Sequence, residues 1–554
     1  MGSPLRIHQI AAQLGLSADD VEPIGWYKGK LAAGLSERLP ERQPGKYVGV
    51  TAINPTPLGE GKTVIAIGLA MALSRDGAKS IVTLRQPSQG PVFGVKGGGA
   101  GGGAASLVPT DEINLHFTGD IHAVTSAHNL LAAMLDNHVS RGRTPLVNPS
   151  TMTWRRVIDL NDKGLAHIVS GLDNVPQAPL RETGFDLTAA SEIMAILALA
   201  DSLTDLRQRL GRIIVAESQT GEPVSANDIG VTGAMLALLR DAIRPNLVQT
   251  CEGTPAIVHA GPFANIAHGN SSVLADLTAI QLADFVVTES GFGSDCGAEK
   301  LLNIKSRISR LRPNVEVLVC TVRALKYHSG KFPMKPGDSI PAGLLVENLE
   351  DLKTGAVNLQ AHLAWLRKSG LPVVVALNRF PTDTDREVDL VHQLSMEFGA
   401  TGFAVAESFK RGSNGTMELA LAVKQASQQP ASYFPLYPLD MPVVEKLATI
   451  VREVYGGEGV ELLPLARRRI EQFERWGFKD LPVCIAKTQY SLSHDPKLLG
   501  RPRGFRLPIR DCRLAAGAGY LYALAGDIST MPGLPKEPAA LKIDVADDGT
   551  ITGL

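Results

Sequence analysis

The segment Lys46–Gln86 constrains this chain most. "KYVGVTAIN" is short, apolar and β-branched, as a buried strand is. The loop "PTPLGEGK" follows, then "TVIAIGLAMALSRDG", with apolar residues at helical spacing and a stop at Gly77. "SIVTLRQ" reads as a second strand. Strand, loop, helix, strand is a βαβ unit, which requires two parallel strands and a right-handed crossover.

Further strands of the same kind are "PAIVHA" from Pro255, "ADFVVTES" from Ala283, "VEVLVCTV" from Val315 and "PVVVALN" from Pro372. Helical stretches such as "TAASEIMAILALADSLTDLRQRL" and "NLQAHLAWLRKSG" alternate with them. Continuous apolar strands between helices predict an α/β fold, a mostly parallel sheet covered by helices on both faces, like that of P-loop NTPases. The chain's 554 residues leave room for more than one unit. The expected division is a nucleotide-binding domain over 1–360, a second α/β domain over 361–455 and a small C-terminal α+β domain over 456–554, with a closing hairpin at Asp548-Gly549.

The loop Thr56–Thr63 has the chemistry of a phosphate cradle. Gly59 and Gly61 let backbone N–H groups turn inward at a helix N-terminus. Lys62 supplies a point charge for the β/γ-phosphates and Thr63 a hydroxyl for Mg²⁺. Thr56 stands where the G-x-x-x-x-G-K-[ST] pattern has its first glycine. The exchange is tolerable if residue 56 needs no positive φ. After the later strand, "NRFPTD" replaces the guanine-reading N-K-x-D, which favours ATP over GTP.

Parallel strands deliver their C-terminal ends to one edge, where ligands bind. Arg85 ends the next strand and is placed to clamp a second anion, against the alternative of a surface salt bridge. The glycine tract Gly97–Gly103 follows at once, either as a linker or as backbone drawn close to a ligand. Glu289 and Asp295 are further Mg²⁺ candidates. Phe380 and Phe409 follow later strands and suit stacking on a flat heterocycle, although packing is the commoner fate of such rings. His116, His122, His128 and His138 lack the spacing of a metal site, and His122 or Asp120 is instead a candidate polar pocket group, against plain hydrogen-bonded structural roles. Five scattered cysteines form neither a disulfide framework nor a zinc pattern.

A net charge of −1 gives no broad field for nucleic acid or an anionic membrane. No apolar run reaches the ~18 residues of a membrane span, and the start lacks a signal-peptide pattern, so a cytoplasmic location is expected.

Several strings resemble the formate–tetrahydrofolate ligase family. They include "NPTPLGEGKT", "LRQPSQGPVFGVKGGGAGGG", "INLHFTGDIHAVTSAHNLLAA", "RETGFDLTAASEIMA", "PNLVQTCEGTPAIVHAGPFANIAHG", "NRFPTDTD", "LPVCIAKTQYS" and "TMPGLPKEPAA". They span nearly the whole chain. The resemblance implies that ATP phosphorylates formate to formyl phosphate and that the tetrahydrofolate amine takes the formyl group. It also implies Mg²⁺, an activating monovalent cation (K⁺ or NH₄⁺) and a homotetramer. By the same resemblance Thr56, Pro57, Leu58, Gly59, Glu60, Gly61, Lys62 and Thr63 form the ATP loop. Arg85 contacts formyl phosphate, and Phe380 and Phe409 wall the slot for the flat ring. Phe409 stands where some relatives carry Trp, and Gln86 where some carry Glu. A phosphate-loop kinase or ligase using another carboxylate acceptor and a nucleotide-switch binding protein are the alternative readings of the same loop.

Overall fold

A computed structural model describes residues 3–40, 42–96, 98–172, 178–335, 338–526 and 528–554. Gly97 of the glycine tract lies outside the described residues.

The central sheet is built from β1 (Lys46–Ala52), β2 (Ser80–Leu84), β3 (Asn246–Thr250), β4 (Pro255–Val258), β5 (Phe285–Glu289), β6 (Val315–Cys320), β7 (Val373–Asn378) and β8 (Gly402–Ala406). Their spatial order is β3-β4-β2-β5-β1-β6-β7-β8. Every pair from β4 to β8 is parallel. β3 is antiparallel to β4 and carries the short hairpin Val21–Pro23/Gly29–Leu31 at its far side. The sequence reading found the parallel strands and missed this antiparallel edge.

Why the interior strands lack alternation is visible in β6, where all six residues are buried. Val317 and Val319 enter one core with Ile65 and Leu69, while Leu318 and Cys320 enter a second core with Leu359 and Leu363. Helices therefore cover both faces, and each face removes apolar surface worth ~25 cal/mol per Å² from water. Helix α1 (Lys62–Arg75) has nine consecutive buried residues, Ile65 to Leu73. It packs on β2 and β5 and is flanked by the helix Met417–Ala426, which covers β8 and β7 of the same sheet, so an apolar stripe on one side would not suffice.

The sheet continues across residue 360. β7 pairs with β6 from Glu316↔Val373 to Cys320↔Leu377, and β8 pairs with β7. Residues 373–406 thus complete the sheet begun by residues 46–320. The expected long helix from Thr188 is divided into Glu192–Leu199 and Leu203–Gly211. Ser202 caps the second piece by accepting from the Asp205 N–H. Near the C-terminus Val483–Ala486, Tyr520–Leu524 and Asp511–Ala515 form a small mixed sheet. Asp544–Val545 and Ile551–Thr552 close the expected hairpin. All five cysteines are free thiols. Among the described residues no helix is long and apolar enough to cross a membrane.

Candidate functional site

The strand order fixes what stands at the rim. Moving along the C-terminal edge, β2 presents Arg85, β5 presents Glu289, and β1 presents the loop 53–63. β6 then presents Thr321 and Arg323, β7 Phe380 and β8 Phe409. At ~4.8 Å per strand, Arg85 starts about 10 Å from the loop on one side and Phe380 about 10 Å on the other.

The loop is braced from within. Gly59 and Gly61 have φ of 80° and 74°, while Thr56 is absent from the positive-φ residues. Thr56 therefore satisfies the condition under which it can replace glycine. Glu60 is buried and folds back, Oε1 accepting from the Thr56 N–H at 2.7 Å and Oε2 from the Thr321 hydroxyl at 2.6 Å. Asn378 Nδ2 donates to the Glu60 carbonyl at 3.1 Å. A Cβ on Gly61 would lie 2.5 Å from that amide, so position 61 needs glycine for space as well as for φ. Asn378, which would read a base in an N-K-x-D protein, is used here to hold the loop.

Lys62 opens α1. It makes no hydrogen bond or ion pair among the described residues, and neither do its neighbours claim it. Burial pushes its ammonium below the usual lysine range, Glu289 and Glu60 pull the other way, and Arg85 adds to the lowering. Thr63 Oγ1 donates to Glu289 Oε2 at 2.9 Å. Arg85 Nη1 donates to the Pro262 carbonyl at 3.1 Å. Burial lowers Arg85 too, with Glu289 opposing. Two cations and one carboxylate thus stand within electrostatic reach of one another beside the N-terminus of α1, an arrangement suited to multiply charged anions. Gln86 Oε1, next in sequence to Arg85, and Asn270 Oδ1, whose amide Nδ2 donates to the Glu289 carbonyl, are buried acceptors without a donor.

The aromatic wall takes a form the sequence did not disclose. Phe409 is 61% exposed. Its ring lies against Gly103 of the glycine tract: a Cβ there would meet Phe409 Cγ and Cδ2 at 3.0 Å, and Gly103 has φ 59°. Only glycine fits both demands. The Arg323 guanidinium lies 3.5 Å from the Phe380 ring centroid, covering one face of it. Arg323 was missed by the sequence reading; its place just past β6, between the loop and Phe380, was the available signal.

Other candidates fall elsewhere. Asp295 is fully buried against Lys487, with 2.6 Å between Oδ2 and Nζ, and so does not face Thr63. Asp120 pairs with Lys30 at 2.8 Å and accepts from Asn246. His128 stacks on Trp154 with its Nε2 on the Arg155 carbonyl, and His138 bonds the Pro145 carbonyl. Among the described residues no three His, Cys, Asp or Glu side chains gather as a metal site.

A family model for formate–tetrahydrofolate ligase matches residues 2–554. The chain belongs to that family. It is 54% identical over 550 residues to the formate–tetrahydrofolate ligase of Roseiflexus castenholzii, covering 99% of this chain and 97% of that protein. Ligases of the same name from Saccharopolyspora erythraea and Desulforamulus reducens are 50% and 51% identical over 548 residues, each with 99% of this chain and 97% of theirs covered. The ligase family membership thus spans every element described above, the C-terminal sheet included.

Proposed function

We propose that this chain ligates formate to tetrahydrofolate at the expense of ATP, and that formyl phosphate forms between Lys62 and Arg85. Family membership over residues 2–554 supports the overall reaction. The observation that carries the site assignment is the pair of cations, one with no partner and one with a single backbone bond, on either side of Glu289.

The chemistry explains the need for them. A formate oxygen attacks the γ-phosphorus, the P–O bond to ADP breaks, and ADP leaves. Two unit charges 4 Å apart repel by roughly 4 kcal/mol at an effective dielectric near 20. Lys62 and Arg85 offset that repulsion and follow the phosphoryl group during transfer. The tetrahydrofolate amine then attacks the formyl carbon. The bond from that carbon to the bridging oxygen breaks, phosphate leaves with the oxygen, and the nitrogen loses a proton.

Residues Thr56–Thr63 cradle the triphosphate. Phe380 and Phe409 flank the folate ring, with Arg323 on the occupied face of Phe380. The donor set Thr63 Oγ1 and Glu289 Oε2 is all oxygen and fits Mg²⁺, which when bound would neutralise phosphate charge. The unpartnered carbonyl oxygens of Gln86 and Asn270 are of the kind K⁺ accepts. A monovalent activator, a homotetramer and a cytoplasmic location belong to this proposal on the family resemblance.

Formate labelled with ¹⁸O tests the route. Label appears in inorganic phosphate, and formylated folate forms only with all three substrates present. Unlabelled phosphate would refute the formyl phosphate step; product without ATP would refute the ligation.

A further inference from the structure

The loop's root is held from outside as well. Asn54 ends the run from β1 and stands two residues before Thr56. It is fully buried, and none of its polar atoms is free. Its carbonyl accepts from His328 Nε2 at 2.9 Å, and because Gly500 N–H donates to His328 Nδ1, Nε2 is the protonated nitrogen. Its N–H lies 3.1 Å from His362 Nε2 and 3.3 Å from Asn358 Oδ1. Its Oδ1 accepts from Asn358 Nδ2 at 2.9 Å. Its Nδ2 donates to Asp295 Oδ1 at 3.1 Å and to the Gln489 carbonyl at 3.2 Å.

His362 is aligned in turn by Ser294 Oγ at 2.7 Å from Nδ1, which also accepts from Trp365 Nε1. In either tautomer His362 Nε2 bonds Asn54, as acceptor from N–H or as donor to Oδ1, each at 3.1 Å. Asp295 is aligned by Lys487, whose Nζ also donates to the carbonyls of Thr488 and Ser491. Asn358 Nδ2 reaches the Gly500 carbonyl at 2.7 Å. Segments distant in sequence, around 295, 328, 358–362 and 487–500, therefore meet on one side chain.

The link from Asn54 to the cradle is stiff. Pro55 and Pro57 flank Thr56 and fix their own φ near −65°. The residue before each proline is itself confined to extended conformations. The Thr56 N–H is tied to Glu60. A rotation at Asn54 is therefore carried into the loop rather than absorbed before it.

We propose that Asn54 is a positioning residue for the nucleotide, and that residues 487–500 from the C-terminal part complete the ATP site by holding it. Neither touches substrate; both act through the loop's placement, where small displacements are costly. This rests on reading Thr56–Thr63 as the nucleotide loop.

The test compares Michaelis constants in the full-length enzyme. His362→Leu is expected to raise KM for ATP at least tenfold, with KM for formate and for tetrahydrofolate within twofold. His362→Gln, which keeps an amide within reach of Asn54, restores KM for ATP to within threefold. The double variant Asp295→Asn, Lys487→Met leaves no buried charge unpaired and is expected to raise KM for ATP in the same selective way. If His362→Leu does not fold, Asn358→Ser gives the same readout. A fall in kcat with all three KM values unchanged would mean fewer folded molecules and a structural role only, which would overturn the proposal. Affinity for a non-hydrolysable ATP analogue in Lys62→Ala separates the two readings. Unchanged affinity there sinks the loop assignment; lost affinity there with an unmoved His362→Leu sinks the clamp alone.

Discussion

Two helical lysines beside the same sheet have opposite surroundings. Lys305 lies beneath the sheet, buried on the equally buried Asp276. That carboxylate also accepts from Thr83 at 2.6 Å and from the Tyr47 hydroxyl. Lys62 lies at the rim, near Glu289, Glu60 and Arg85, bonded to none of them. A buried charge without partners is expensive, so interiors pair them fully. A rim that leaves cations unpaired keeps donor capacity for something that arrives. On the proposed function, the difference separates groups that hold the fold from groups that would hold a ligand.

The sharpest way to break this contrast is Lys62→Ala. Product formation should fall by about 10⁴-fold or more, the scale of removing a preorganised charge from phosphoryl transfer. The melting temperature should not fall, because no neighbouring group loses a hydrogen bond. A large loss of stability would place Lys62 with the structural lysines.

Lys305→Met makes the opposite prediction. It strands Asp276 and should cost about 3–5 kcal/mol of stability, measured by denaturant unfolding. The molecules that stay folded should keep their KM values. Arg85→Ser should lower formyl transfer about 10²-fold while ADP affinity, measured calorimetrically, holds. Weakened ADP binding with intact transfer would remove Arg85 from the anion site.

A smaller effect probes an interior group that breaks the pairing rule. Glu316 is fully buried beside Gly49, both its oxygens lack partners, and burial raises its carboxyl to about 8. Its ordinary value is 4.5. The folded state favours the neutral carboxyl, so this contribution to stability is complete below about 4.5 and is lost as pH rises through about 8. Glu316→Gln has no such loss. Relative to the parent it should gain about 2 kcal/mol between pH 5 and pH 7. A difference that stays flat with pH would show that Glu316 is ionised and paired in solution.

Much of this architecture was legible in the sequence because parallel strands must be apolar on both faces. "VEVLVC" and "VVVALN" carry that signal, and the residues after such strands are bound for one rim. That logic set Lys62, Arg85, Phe380 and Phe409 along the rim where the strand order has them. It did not deliver Arg323 over Phe380, or Asn378 as a brace, because side-chain direction after a strand end is set by tertiary packing. β3 escaped because an antiparallel edge has no βαβ signature. Asp295 was misread toward Mg²⁺, since nothing in "GFGSDCGAEK" reveals that Lys487, 192 residues away, is its partner. Long-range polar pairing is the part of a fold that local pattern does not encode.

The most direct measurement of the central claim is a structure of the protein with a non-hydrolysable ATP analogue. The account predicts a β- or γ-phosphate oxygen within about 3 Å of Lys62 Nζ, with the terminal phosphate facing the Arg85 guanidinium. A triphosphate seated elsewhere, or a terminal phosphorus more than two strand spacings (about 10 Å) from Arg85, would contradict it.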